Sequence, residues 1–152
     1  MRTLYILALG SNLGDRAALL QSAVAAIAGL PGSTLRALSQ VAETTPLGGL
    51  DQPRYLNQMV AIDSELSPGE LLAATQAIEA GHQRIRGMER WMSRTLDIDI
   101  VWAENYQLDS EELRLPHPGL YDREFWQRGI TELNIPGDMI ERIIGCRAGD
   151  DS

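Results

Sequence analysis

The sequence predicts an α+β fold. Short apolar runs bounded by turn residues alternate along the chain with longer segments whose apolar residues recur at helical spacing. The chain has 152 residues, of which 44% are hydrophobic, an ordinary value for a globular protein. We therefore expect residues 1–152 to form one domain around a sizeable core.

The first half of the chain predicts a strand, a helix and a second strand. Residues 3–9, TLYILAL, form an apolar run that ends at a glycine and predict the first strand. Asp15 can cap a helix over 16–30, which ends at a Gly-Leu-Pro sequence. A strand is predicted over 34–43, and the segment after it, rich in Pro and Gly, is predicted to be a loop.

The second half predicts a strand, a helix and a strand. Residues 56–64 form the third strand, and SPGE at 67–70 begins a helix with Ser at the N-cap, Pro at N1 and Glu at N3. That helix continues to residue 85, and the fourth strand occupies 95–102. The order β-α-β-β-α-β is the split βαβ arrangement of ferredoxin-like folds, with helices packed on a mainly antiparallel sheet. A mixed C-terminal tail follows, with short helices predicted near 121–132 and 137–145.

Charge and residue usage exclude several classes of site. The net charge is −8, which disfavours non-specific binding of nucleic acid. All 13 basic residues are arginine, so mechanisms that need a lysine, such as a P-loop or a Schiff base, are excluded. A phosphate bound by this chain must be held by arginine, backbone N–H groups and metal. A coding sequence rich in G and C would equally explain the surface arginines.

The sequence also indicates a compartment. No apolar run approaches the roughly 18 residues of a membrane span, and a strand explains the N-terminal apolar run better than a signal peptide does. The single cysteine, Cys146, rules out an internal disulfide and fits a reducing compartment. We therefore expect a cytoplasmic protein that binds neither membrane nor nucleic acid.

Two aspartates interrupt the fourth strand. Because side chains alternate along a strand, Leu96, Ile98 and Ile100 share one face, and Asp97 and Asp99 share the other. The two acidic positions lie about 6.6 Å apart, so their carboxylates can converge on one small volume. Mg²⁺ is commonly held by one or two carboxylates together with substrate phosphates. The alternative is a half-exposed strand with a solvated face.

An arginine-rich segment precedes these acids. RIRGMERWMSR contains Arg84, Arg86, Arg90 and Arg94, with Trp91 among them. Such a segment can clamp an anionic ligand, and together with acids that hold Mg²⁺ it indicates a site for nucleotide phosphates. The alternative is a solvated basic loop that offsets nearby acids.

Two further segments carry aromatic and polar side chains. Tyr55 and Asn57 lie two apart at the start of the third strand and so face the same way, as expected for a flat heterocycle that is stacked and hydrogen-bonded. His117 lies between two prolines that restrict its backbone, and Arg123 and Phe125 follow it. Structural roles at the rim of the core remain the alternative for each.

Taken together, these segments resemble the 6-hydroxymethyl-7,8-dihydropterin pyrophosphokinase family of folate biosynthesis. The resemblance covers about the first 125 residues. It is carried by five segments: ALGSNLGD at 8–15, TPLG at 45–48, DQPRYLNQMVAI at 51–62, QAIEAGHQRIRGMERWMSRTLDIDI at 76–100 and LPHPGLYDREF at 115–125. It implies a ferredoxin-like fold and transfer of the β,γ-pyrophosphoryl group of ATP to the hydroxymethyl oxygen of the pterin, with release of AMP. It also implies two Mg²⁺ ions bound by Asp97 and Asp99.

The resemblance assigns the other site residues as well. Loops 45–54 and 84–93 would close over the two substrates of what is expected to be a monomer. The implied contacts to the pterin are Thr44, Leu47, Tyr55, Asn57 and Phe125. The implied contacts to ATP are Arg84 and Arg94, which support the transferring group, and Gln76, Glu79, Arg86, Trp91, Ile100, His117 and Arg123.

The sequence departs from the family pattern in two places. Met92 and Ser93 stand where the family usually has a turn-forming pair, and WQRGITELNIPGD, which includes Arg128 and Gly129, is more polar than the usual continuation after Phe125. A weakened paralogue, or a ferredoxin-like module that binds pterin or nucleotide without turnover, is therefore the alternative function. A regulatory domain acting through an oligomer interface is a third, and the arginine-rich segment argues against it.

Overall fold

The structure, a computed structural model, describes residues 2–11, 16–44, 55–86 and 96–145, with the side chains of 83–86 left out. The strands in these ranges are β1 Thr3–Ser11, β2 Ser33–Leu38, β3 Ala42–Thr44, β4 Tyr55–Ser64, β5 Asp97–Ala103, β6 Leu108–Asp109 and β7 Arg114–Leu115. The helices are α1 Arg16–Ala28, α2 Pro68–Arg86, α3 Glu124–Thr131 and α4 Gly137–Gly145, with a 3₁₀ turn over Pro118–Tyr121. Among these helices none is long and apolar enough to cross a bilayer.

The main sheet is antiparallel, with strand order β2-β4-β1-β5. The short strand β3 pairs with the same edge of β4 farther along. Counting β2 and β3 together as one strand gives the β-α-β-β-α-β order and strand arrangement of a ferredoxin-like fold. The predicted fold class is therefore confirmed.

The prediction of one continuous strand over 34–43 is wrong, because the structure interrupts it at Ser39. Between β2 and β3, residues 39–41 lie opposite only residues 58 and 59 of β4. The Ser39 hydroxyl accepts a hydrogen bond from the Met59 N–H at 2.8 Å, in the position of a ladder carbonyl. An extra residue accommodated in this way is a β-bulge, and β-propensity does not predict one.

Both faces of the sheet are covered by helices. On one face, Tyr5, Leu7 and Leu9 of β1 pack with apolar residues of α1 and α2. On the other face, Leu4 and Ile6 pack with apolar residues of α3 and α4. Because β1 is buried on both faces, its residues from Leu4 to Leu9 form a continuous apolar run rather than an alternating one.

The C-terminal tail folds as predicted near 121–132 and 137–145 and adds a hairpin that was not predicted. Strands β6 and β7 pair with each other, and a cis peptide bond joins Leu115 to Pro116. The next backbone N–H, that of His117, donates to the Val101 carbonyl of β5 at 2.8 Å. The hairpin thus brings residues 116–118, Pro-His-Pro (the PHP segment), against the outer edge of β5.

Helix α3 contacts the sheet closely at Gly129. A Cβ built there would overlap Cγ of Met59 on β4, so any larger residue would force Met59 or the helix to shift. The glycine that interrupts the tail sequence is therefore a packing requirement. It lets an amphipathic helix lie directly on the sheet.

Candidate active site

A cavity of about 560 Å³ lies where the C-terminal end of β1 meets the first residues of β4 and β5. The sheet forms one wall, and the segment leading into α3 forms the other. The cavity is lined by Ala8, Leu9, Gly10, Thr44, Tyr55, Asn57, Asp97, Asp99, Asp122, Arg123, Glu124, Phe125 and Trp126.

The two aspartates of β5 face this cavity, as the strand alternation predicts. Leu96, Ile98 and Ile100 are buried in the core on the face of the sheet that α1 and α2 cover. Asp97 and Asp99 are partly exposed on the opposite side and both line the cavity. The predicted division of faces is confirmed.

Small residues of β1 leave room for the acids. In the β1–β5 register, Gly10 lies opposite Asp97 and Ala8 lies opposite Asp99. On the other side of β1, Gly10 lies opposite Asn57 of β4. The missing side chain at Gly10 therefore opens a space that Asp97 and Asn57 border from either side.

Asn57 is held by a hydrogen bond to β3. Its Nδ2 donates to the Thr44 hydroxyl at 2.6 Å. The amide oxygen then lies beside Gly10, where a Cβ would be 3.4 Å from it. Asn57 thus presents a hydrogen-bond acceptor to the cavity.

Two aromatic side chains border the cavity from different elements. Tyr55 lies at the start of β4, and Phe125 lies on α3. Burial raises the pKa of the Tyr55 hydroxyl, and the charge of Asp97 raises it further. The hydroxyl therefore stays protonated near neutral pH, while the rings offer two apolar surfaces.

His117 is held in a defined position next to Asp99. Its Nδ1 accepts a hydrogen bond from the Gly119 N–H at 2.9 Å, and its Nε2 lies 3.8 Å from Oδ1 of Asp99. Burial lowers the pKa of His117, the charge of Asp99 partly opposes the shift, and Arg123 adds to it. The imidazole is therefore neutral at pH 7, with its proton on Nε2, on the side of Asp99.

Arg123 contacts a residue that the sequence analysis missed. Its guanidinium carbon lies 4.4 Å from the ring centroid of Trp126, which is only 3% exposed. The spacing of Trp126, Gly129 and Ile130 on α3 is that of a buried helical stripe, and this pattern could have identified the tryptophan.

Four predicted ligand residues lie outside the cavity lining, and one of them is His117, which lies beside Asp99. Glu79 accepts a hydrogen bond from the Ile98 N–H at 2.7 Å, and Gln76 is exposed on α2. The side chain of Ile100 is 3% exposed and lies in the core beneath α1 and α2, so its backbone is the part that a ligand could reach.

Several predicted residues fall outside the described part of the chain. The loops 45–54 and 84–93 belong there for the most part, as do the departures at Met92 and Ser93. The predicted residues concerned are Leu47, Trp91, Arg94 and the side chains of Arg84 and Arg86. Their roles stay predictions.

The donor set suits a metal that arrives with its substrate. Within the described ranges, no group of three His, Cys, Asp or Glu side chains is placed to hold a metal ion. Mg²⁺ typically keeps water and substrate phosphate as ligands and takes one or two carboxylates from the protein. Asp97 and Asp99 on one cavity wall fit that requirement.

The sequence profile of 7,8-dihydro-6-hydroxymethylpterin-pyrophosphokinase (HPPK) matches residues 6–135. The chain belongs to the HPPK family. The 2-amino-4-hydroxy-6-hydroxymethyldihydropteridine pyrophosphokinase of Bacillus subtilis is 39% identical over 133 residues, which cover 88% of this chain and 79% of the relative. The enzyme of the same name from Methylorubrum extorquens is 44% identical over 127 residues, which cover 84% of this chain and 80% of the relative.

Solved structures share this fold. The wild-type Plasmodium falciparum HPPK-DHPS crystal structure with pterin and p-hydroxybenzoate superposes with a TM-score of 0.66 at 13% identity. The match covers 95% of this chain but only 43% of that chain, so the present chain spans less than half of the parasite protein. At this identity the likeness concerns the fold alone.

Proposed function

We propose that this chain transfers the β,γ-pyrophosphoryl group of ATP to the hydroxymethyl oxygen of 6-hydroxymethyl-7,8-dihydropterin and releases AMP, in an Mg²⁺-dependent step of folate biosynthesis. Membership of the HPPK family supports the reaction. The observation that carries the proposal is that Asp97 and Asp99 line the same cavity as Tyr55, Asn57 and Phe125.

The pterin would bind between the two aromatic side chains. Tyr55 and Phe125 belong to different walls, and a flat heterocycle stacked on either ring would lose little conformational freedom. The oxygen of Asn57 would accept a hydrogen bond from a ring N–H, because Thr44 holds the amide nitrogen. Leu47 is proposed to add a backbone contact.

ATP would extend along β5 toward the PHP segment. Asp97 and Asp99 would hold Mg²⁺, which when bound offsets the charge of the phosphates. Arg123 contributes a cation at the cavity wall, and the Nε2–H of His117 is a donor beside Asp99. The other proposed contacts to ATP and its phosphates are Gln76, Glu79, Arg84, Arg86, Trp91, Arg94 and Ile100.

Positioning explains why few reactive side chains are needed. Phosphoryl-type transfer depends mainly on the alignment of the attacking and leaving oxygens and on stabilisation of charge. Asp97 and Asp99 on one cavity wall would align the phosphates. The acceptor of Asn57 and the rings of Tyr55 and Phe125 would align the pterin.

The proposal is tested by following AMP with the purified chain. AMP should form from ATP only when the pterin and Mg²⁺ are both present, and omission of either or addition of a chelator should abolish it. If calorimetry detects pterin binding but no AMP forms at any Mg²⁺ concentration, the chain is a binding module. If neither binding nor AMP is detected, the proposed substrates are wrong.

A further inference from the structure

Trp126 touches three of the residues proposed to bind substrates. It lies on α3 and is 3% exposed, yet it lines the cavity. Its ring is 4.9 Å from the ring of His117 at an interplanar angle of 81°, and 6.3 Å from the ring of Phe125 at 72°. Both arrangements are the edge-to-face geometry that aromatic pairs favour.

The side chain of Arg123 lies between the indole of Trp126 and the backbone of Gly119. Its guanidinium carbon is 4.4 Å from the indole centroid, within the range of a cation–π interaction. On the other side, a Cβ built on Gly119 would lie 2.8 Å from Nε of Arg123. The arginine side chain is therefore confined by contacts on two sides.

His117 is confined by the same group of residues. The Gly119 N–H fixes Nδ1, and the indole packs against the imidazole ring. The remaining ring nitrogen then lies near Asp99. One indole thus contacts both the guanidinium of Arg123, which lines the cavity, and the imidazole of His117, which lies beside Asp99.

We propose that Trp126 is a positioning residue that holds Arg123 and His117 in the orientation in which they bind ATP. The inference rests on the proposed function, because it assigns the partner of these two side chains. Loss of the indole would leave the arginine with more rotamers to lose on binding, which weakens affinity. The effect should fall on ATP affinity rather than on the chemical step.

A merely structural role for Trp126 can be tested against a matched tryptophan. Trp102 is 5% exposed, belongs to the same core, and carries Arg142 at 5.8 Å from its ring. It does not line the cavity. Trp102→Leu therefore removes a comparable buried indole and leaves Arg123 and His117 untouched.

The test measures ATP binding with Mg²⁺ by calorimetry for the wild type, Trp126→Leu, Trp126→Phe and Trp102→Leu. We expect Trp126→Leu to weaken ATP binding about tenfold and Trp126→Phe about threefold, since a phenyl ring is a weaker cation–π partner. The ATP KM should follow, with kcat changed by less than about threefold. Trp102→Leu should bind ATP as the wild type does.

A second readout keeps the proposal falsifiable if Trp126→Leu does not fold. Side-chain protons of Arg123 in the wild type should show an upfield ring-current shift by NMR, which Trp126→Phe should reduce. An unshifted Arg123, or equal losses of ATP affinity in Trp126→Leu and Trp102→Leu, would overturn the inference. If the wild type binds ATP but forms no AMP, the proposed function fails. The ATP affinities of Trp126→Leu and Trp102→Leu, each relative to the wild type, still decide the role of Trp126.

Discussion

Glu79 accepts a hydrogen bond from the backbone N–H of Ile98, with 2.7 Å between the carboxylate oxygen and the amide nitrogen. Ile98 lies between Asp97 and Asp99 on β5, which is the edge strand of the sheet. Successive amides of an edge strand point alternately toward the sheet and away from it. The Glu79 carboxylate therefore accepts a hydrogen bond from the Ile98 amide, which points away from the sheet, and fixes the backbone between Asp97 and Asp99.

Removal of this carboxylate should loosen β5 at the acids. We expect Glu79→Ala to raise the amide exchange rate of Ile98 by roughly tenfold to a hundredfold, because a largely buried donor loses its partner. Glu79→Gln keeps a carbonyl acceptor and should keep most of the protection. Hydrogen exchange followed by NMR measures both, with Glu141→Ala on the surface of α4 as the control. Wild-type protection of Ile98 in Glu79→Ala would contradict this role.

The bond between Asn57 and Thr44 predicts a selective effect on pterin binding. Thr44→Val removes the acceptor of the 2.6 Å bond and lets the amide rotate. We expect the pterin to bind about tenfold more weakly, with ATP affinity unchanged. Thr44→Ser, which keeps the hydroxyl, should bind the pterin much as the wild type does. Equal pterin affinity for Thr44→Val and wild type by calorimetry would rule out an orienting role.

The contact of α3 with the sheet predicts a loss of stability. A methyl group at Gly129 would overlap Met59, so Gly129→Ala should lower the free energy of unfolding by about 1–3 kcal/mol. The loss should shrink in a Met59→Ala background, because the two sites share that space. Gly81→Ala on α2 has open space around it and should stabilise by up to about 1 kcal/mol. Urea unfolding of the four variants checks this, and equal stability of the Gly129 and Gly81 variants would refute it.

How much the sequence predicts depends on the range of the interaction. Alternation on β5 correctly assigned Ile98 and Ile100 to the core and the two aspartates to the cavity, because strand geometry is local. His117 was identified from its two flanking prolines, which also act locally because they restrict the backbone next to them. The sequence motifs also predicted the family that the HPPK profile match shows.

The features that were missed depend on tertiary packing. The break at Ser39 results from the register of β4, and the two-residue strands β6 and β7 are too short to show a period. Trp126 stands in a polar stretch of the sequence, and its contacts appear only when α3 lies on the sheet. The bond from Ile98 to Glu79 joins elements that no local pattern connects.

Tyr5 predicts how stability depends on alkaline pH. Its hydroxyl donates to the Leu66 carbonyl at 2.7 Å, and burial, reinforced by the charges of Tyr106 and Glu70, raises the pKa of Tyr5 to about 12. The unfolded chain releases this proton near its ordinary pKa of about 10, so the folded state loses stability as the pH rises from about 10 to 12.

The comparison of the wild type with Tyr5→Phe isolates that titration. The phenylalanine variant lacks the hydroxyl, so other groups that ionise at high pH affect both proteins alike. The stability advantage of the wild type at pH 7 should shrink by about 1 kcal/mol by pH 11. Urea unfolding at several pH values measures the difference, and a difference that stays constant with pH would contradict the raised pKa.

We propose that Asp97 and Asp99 are the two metal-binding, catalytic side chains of a pterin pyrophosphokinase. Its most direct test is AMP formation by Asp97→Asn and Asp99→Asn, with Asp109→Asn on the exposed strand β6 as the control. We expect turnover to fall by roughly a hundredfold or more in each cavity variant, a loss of several kcal/mol of transition-state stabilisation. Thermal stability should be kept, because each change also removes repulsion between two acids on one strand face. Wild-type turnover in either cavity variant would contradict the account.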